Sequence, residues 1–184
     1  MNPLSMPARR GGGFSLIEVL IAIVVIAVGL LGVAKLQAAA VSSTQTSRVR
    51  SLIALQAGSL AAAMHGNRRY WAAGAAPASW SAAGATITDA TGVLNAAGVN
   101  CLGSGNTCTA PQLAAYDVQA WVAAMNAQFP SYTAAVTCST SVTTPISCAI
   151  QINWNENLVA INRSTAASAP AAPVAQQFTL LVEP

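Results

Sequence analysis

Gly13-Phe14-Ser15-Leu16-Ile17-Glu18-Val19-Leu20 opens a long apolar run, and the fold turns on how it is read. Arg9 and Arg10 stand just before it, and Glu18 is the lone ionisable residue between Arg10 and Lys35. Phe14 to Ala34 is 21 residues, with Ser15 and Glu18 as the polar exceptions. At about 1.5 Å per residue such a helix spans roughly 30 Å, the thickness of a bilayer hydrocarbon core. A carboxylate inside a membrane-length segment is costly and calls for a functional explanation. Gly29 and Gly32, with Ala27 and Ala34, form a strip of small residues suited to close helix packing. Met1 to Gly13 lacks an apolar core of its own, and no A-x-A site follows the run, so this is not a complete secretory signal. The two arginines favour a cytoplasmic location for this end.

The helical pattern continues past Lys35 and changes character. Val49, Leu52, Ile53, Gln56, Leu60, Ala63 and Met64 recur at steps of three and four, with Arg48, Arg50 and Ser51 off the stripe. That is an amphipathic helix with one face for a core. His65-Gly66 supplies a cation for the last turn and a glycine for the position after the cap. Ser15 to His65 thus reads as one helix of order 75 Å, half in the membrane and half under a soluble domain. Asn67-Arg68-Arg69-Tyr70-Trp71 then forms a basic-aromatic patch. The expected reading is a helix terminus whose aromatics fold into the core. The alternative is a nucleic-acid or adhesive contact through Arg68, Arg69, Tyr70 and Trp71, with rings stacking beside phosphate-binding cations.

Ala72 to Asn106, rich in Ala, Gly, Ser and Thr, has no strong period and reads as a long loop region. Thr109-Ala110-Pro111-Gln112 then has the form of a capping box, with proline in the first turn. Leu113, Tyr116, Ala120, Trp121, Ala124 and Met125 give the apolar face of that second helix, and Phe129-Pro130 ends it. Tyr132, Ala134, Val136 and Cys138 alternate with smaller or polar residues, as do Cys148, Ile150, Ile152 and Trp154. Both runs carry the period of two of a half-buried antiparallel sheet, with a turn marked at Thr143-Thr144-Pro145. Ser164 to Val174 reads as an Ala/Pro/Ser loop. Phe178, Leu180 and Val182 announce a third strand.

The chain has 184 residues, of which 54% are hydrophobic but only 5% aromatic, so the core is built largely from small side chains. Charged residues make up 7%, far below the roughly 25% of ordinary soluble domains. Removing Arg9 and Arg10 from the eight basic residues leaves six against five acids, about +1, which is no footprint for nucleic acid. The four cysteines include no C-x-x-C pair, and His65 is the one histidine, so a zinc site lacks its usual tight ligand pair. An even count beyond a membrane-targeting segment reads as disulfides in an oxidising compartment. Four cysteines allow three pairings; the expected one is Cys101–Cys108 with Cys138–Cys148, the latter across a hairpin. One histidine, five acids and no nucleophile–base spacing give no catalytic set. Gly11-Gly12-Gly13 has no following Lys-Ser/Thr and is no phosphate loop. Neither enzyme, metal nor cofactor is expected.

The stretch Gly13-Phe14-Ser15-Leu16-Ile17-Glu18, behind a short basic leader and ahead of a bilayer-length helix, resembles the processing site of type IV pilins and of the pseudopilins of type II secretion. Resemblance implies cleavage after Gly13 by the membrane-embedded prepilin peptidase, N-methylation of the new terminus Phe14, and a role for Glu18 in subunit assembly. A buried carboxylate wants a cation, and the Phe14 α-amine of a neighbouring subunit would supply one. Glu18 to Ala22, Gly29 to Gly32, Met64 with Asn67-Arg68, the Asp117-to-Trp121 helix and Ile152-Asn153-Trp154 look most like PilV-type minor pilins. The implied fold is α+β and type IV pilin-like, a long N-terminal helix packed on a small antiparallel sheet. Its parts would be a leader at 1–13, a transmembrane half-helix at 14–36, an amphipathic half-helix at 37–66 and a globular head at 67–184. The implied function is that of a non-catalytic subunit priming or modifying the pilus. Its partners would be prepilin peptidase, other minor and major pilins and the inner-membrane assembly machinery. It would lie in the bacterial inner membrane before assembly and in the surface fibre afterwards. A pseudopilin shares the same front end, and an adhesive or DNA-contacting tip subunit is a further alternative.

Overall fold

The structure, a computed structural model, describes residues 13–103, 107–141, 145–156 and 173–184. Arg9, Arg10, Gly11, Gly12, the 104–106 tip, Thr143-Thr144 and most of the expected 164–174 loop lie outside them. The chain divides into two compact units, residues 1–43 and 44–184.

Helix α1 runs Leu16–Gly66 without a break. In the first unit its large apolar side chains are exposed, from 47% at Val19 to 78% at Leu16. In the second unit it buries Ile53, Ala57, Leu60, Ala61 and Met64, one stripe at helical spacing. Gly66 does not take the expected left-handed cap. It stays helical, and the chain turns at Asn67 instead, whose side-chain Nδ2 donates to the carbonyl of Ala110 at 2.7 Å. The short helix α2 (Arg68–Trp71) follows.

Ala72 to Asn106 is not one long loop. It contains strands β1 (Ser79–Ala83) and β2 (Thr86–Thr88), joined by a tight turn at Gly84 with φ +55°. That φ lies where side chains with a Cβ are strained. A Cβ there would also stand 3.4 Å from Asn126 Oδ1.

Helix α3 (Ala110–Gln128) starts at the predicted box, with the Thr109 amide donating to Gln112 Oε1 at 2.9 Å. It ends before Pro130, where the Phe129 amide donates to the Met125 carbonyl at 2.7 Å. Its buried face is Ala114, Ala115, Val118, Trp121, Val122 and Met125. Trp121 and Met125 agree with the expected face, but Ala120 points to solvent and Leu113 is half-buried. With alanine on every side of this helix, its sequence period left the angle of the stripe poorly marked.

Strands β3 (Thr133–Cys138), β4 (Cys148–Glu156) and β5 (Val174–Val182) complete the sheet. The order is β2-β1-β3-β4-β5, and all neighbours are antiparallel. Five strands stand where the sequence pattern marks three, and β5 begins at Val174, the last residue of the expected loop. Ala134, Val136, Ile150, Ile152, Trp80 and Ala82 point inward and share one core with the α1 stripe and α3. A long apolar N-terminal helix whose second half packs on a small antiparallel five-stranded sheet is an α+β, type IV pilin-like fold.

Three polar contacts fasten the helical layer. Trp121 Nε1 donates to the Gln56 carbonyl of α1 at 2.8 Å. Its ring meets Trp80 and Tyr132 edge-on, with centroids 6.4 and 6.1 Å away. Arg50 clamps Glu156 on β4 with both ends of its fork, Nε to Oε1 at 3.0 Å and Nη2 to Oε2 at 2.8 Å. Cys138 and Cys148 are opposed residues of the β3–β4 ladder and are bonded, as are Cys101 and Cys108.

Candidate functional site

Two places carry chemistry: the start of α1, and the junction of α1, α2 and α3. At the first, Gly13 to Ser15 precede the helix, and the Ser15 carbonyl accepts from the amides of Glu18 at 3.0 Å and Val19 at 3.3 Å. Phe14 is 84% exposed. Glu18 sits in the first turn and is exposed, at the end of the helix where a negative charge is favoured. The helix carries an 18-residue window of mean hydropathy 3.0, none of it buried. It is long and apolar enough to cross a membrane. This stretch forms no pocket; it presents an exposed aromatic residue, Phe14, and one carboxylate, Glu18, at the start of an apolar rod.

At the second place the structure separates the basic-aromatic patch into two. Tyr70 and Trp71 are each 1% exposed and stack edge-on at 5.1 Å, so neither can serve as the surface contact that the alternative reading required. Burial, with Asp89 nearby, pushes the Tyr70 hydroxyl up to about 12. Helix α2 is a single turn, and its inward face is filled by these two rings. Arg68 and Arg69 remain exposed. With His65 they line a cleft of about 530 Å³ whose other wall is Cys108, Thr109, Ala110 and Leu113.

Two buried carboxyls, Asp89 and Glu156, serve structure. Burial pushes the Asp89 carboxyl up, but the amides of Leu94, Thr91 and Val93 and the Thr91 hydroxyl outweigh it, and the net shift is down. Glu156, buried beneath Arg50, is held below the usual carboxylate range by that guanidinium and by Trp154 Nε1, which donates at 3.0 Å. Desolvation raises Asp117. Among the described residues no group of three His, Cys, Asp or Glu side chains could hold a metal ion. Sequence reasoning did not find the Arg50–Glu156 clamp, because its partners stand 106 residues apart. The one available signal was a glutamate at an inward position of β4, two residues beyond Trp154.

Residues 8–34 match the family described as the prokaryotic N-terminal methylation motif. The match supports the type IV pilin superfamily. With the apolar helix, long enough to cross a membrane, it supports a type IV pilin-like or pseudopilin protein with a membrane anchor. No curated protein and no solved structure matches the chain. The matched segment holds Gly13, Phe14 and Glu18 and stops at Ala34, the last residue of the apolar run.

Proposed function

We propose that the chain is a minor pilin of the PilV type, a non-catalytic subunit that primes or modifies a type IV pilus. The observation that carries this is the methylation motif at residues 8–34 joined to a pilin-like head in the same chain. Prepilin peptidase cuts between Gly13 and Phe14, and Phe14 becomes the N-methylated terminus. Glu18 then lies four residues from that terminus. It pairs with the α-amine of a neighbouring subunit, because an isolated carboxylate among lipid or packed helices is costly and a fixed cation relieves it. Before assembly the protein is held by α1 in the inner membrane with its N-terminus cytoplasmic. Afterwards it lies in the fibre with other minor and major pilins.

Mass spectrometry of the mature N-terminus tests the processing step. The expected result is a chain that starts at methylated Phe14, and any other start overturns it. Glu18→Gln should leave cleavage intact and lower the amount of protein in sheared pili. Normal incorporation of that variant would remove the charge pairing. Recovery of the wild-type protein in sheared pili is expected for a minor pilin. Its absence from pili, together with loss of type II secretion when it is deleted, would instead make it a pseudopilin.

A further inference from the structure

The cleft at the junction of α1, α2 and α3 is not used by the processing or assembly chemistry. Two permanently charged guanidiniums, Arg68 and Arg69, line it together with His65. None of the chain's five acids is among its lining residues. Among the described residues these three side chains have no ion-pair or hydrogen-bond partner, whereas Arg50 is committed to Glu156. The walls are fixed by contacts independent of any ligand. Asn67, 5% exposed, ties the α1–α2 junction to the start of α3 through its bond to the Ala110 carbonyl. The Cys101–Cys108 disulfide anchors the lip that carries Cys108 and Thr109. Neither guanidinium is neutralised by an ion pair within the described residues. The positive end of α3 adds to the same sign.

We propose that this cleft binds the phosphate group of a small phosphomonoester. Two guanidinium forks match a dianion with three terminal oxygens, whereas a single carboxylate offers one charge and two oxygens. The volume, about 530 Å³, falls within the range of small-ligand sites and leaves room for a sugar-sized body against Leu113 and Ala110. A nucleic-acid strand fits less well. It needs exposed rings for stacking, and Tyr70 and Trp71 are inside the core. It also needs a track of cations, and Lys35 and Arg48 do not line the cleft.

The test is a titration of the isotope-labelled full chain in detergent micelles, at constant ionic strength, with inorganic phosphate, glucose 6-phosphate and an unphosphorylated single-stranded oligonucleotide. Saturable shifts of the Arg68, Arg69 and Ala110 amides by both phosphates are expected, with Kd on the order of 1 mM. The double variant Arg68→Gln, Arg69→Gln should weaken binding at least about tenfold, with the amides of Val136 and Ile150 unmoved as the sign of an intact core. Arg68→Lys, Arg69→Lys keeps the charge and loses the forks; binding as tight as wild type would overturn the bidentate geometry. Linear, unsaturable shifts, or equal binding by the glutamine variant, would overturn the site. Oligonucleotide binding at least about tenfold tighter than glucose 6-phosphate, with the steep salt dependence of many phosphate contacts, would overturn the ligand class. None of these readouts depends on pilus assembly, so failure here leaves the minor-pilin reading standing.

Discussion

Trp121 is the side chain by which α3 holds the rest of the head, and its replacement gives the sharpest energetic test. The indole N–H donates 2.8 Å to the Gln56 carbonyl, and the ring edges meet Trp80 and Tyr132 at 6.4 and 6.1 Å. Trp121→Phe deletes the donor and keeps an aromatic ring. The lost hydrogen bond is worth about 1 kcal/mol net. A phenyl ring is too short to keep both edge contacts, and losing one costs about 0.5–1.5 kcal/mol more. The expected total is about 2 kcal/mol. For a chain of this size each kcal/mol moves Tm by about 2–4 °C, so the midpoint should fall by about 4–8 °C. Trp121→Ala, which also leaves a cavity, should cost about 3–5 kcal/mol. The assay is thermal unfolding of the full chain in micelles, followed by near-ultraviolet circular dichroism, which reads the packed aromatics and not the membrane half of α1. A Trp121→Phe protein that melts within about 1 °C of wild type would refute the argument that this indole fastens α3 to α1.

Two pH dependences follow from buried groups. Glu156 is held below its ordinary range, so its stabilising effect is complete above the unfolded carboxylate pKa and is lost as pH falls through the folded one. Acid unfolding should therefore shift to a more neutral pH in Arg50→Gln, and the acid limb should flatten in Glu156→Gln; unchanged limbs in both would show that the clamp contributes nothing. Tyr70 and Tyr132, both pushed up to about 12 by burial, act at the other end of the scale. Their unfolded pKa is about 10, so stability is intact below pH 10 and falls between about 10 and 12. Tyr70→Phe and Tyr132→Phe should each reduce that alkaline loss, and tyrosinate absorbance rising near pH 10 at both positions in the folded protein would contradict their burial.

How much was legible depended on which residues did the packing. The apolar half of α1 is written in β-branched and leucine residues interrupted by one carboxylate, and its helical reading at membrane-spanning length was plain. Strand β4 was equally plain, because Ile150, Ile152 and Trp154 alternate with polar neighbours. Strand β1 was not, because its inward pair is Trp80 and Ala82 among serines and alanines, a pattern shared with the surrounding loop. The same ambiguity rotated the expected face of α3 and hid Ala57 and Ala61, whose methyl groups are buried in the core. At the candidate sites, the front end is visible as a motif because its residues, Gly13 to Glu18, are six in a row. The cleft is not. His65 and Arg69 are near Thr109 and Ala110 because Asn67 turns the chain and bonds across to α3, a contact 43 residues away that no local pattern announces.

Each disulfide joins near neighbours in sequence, seven residues apart for Cys101–Cys108 and ten for Cys138–Cys148. A mispaired Cys108–Cys138 bridge would have to close 30 residues, costing about 1 kcal/mol more in loop entropy than the Cys138–Cys148 closure. Correct oxidation is therefore favoured before the sheet exists. By contrast, pairing β1 with β3 brings Trp80 to Val136, across 56 residues and a whole helix. The two small loops can thus be locked early, and the closure that spans the most chain is that of β1 onto β3.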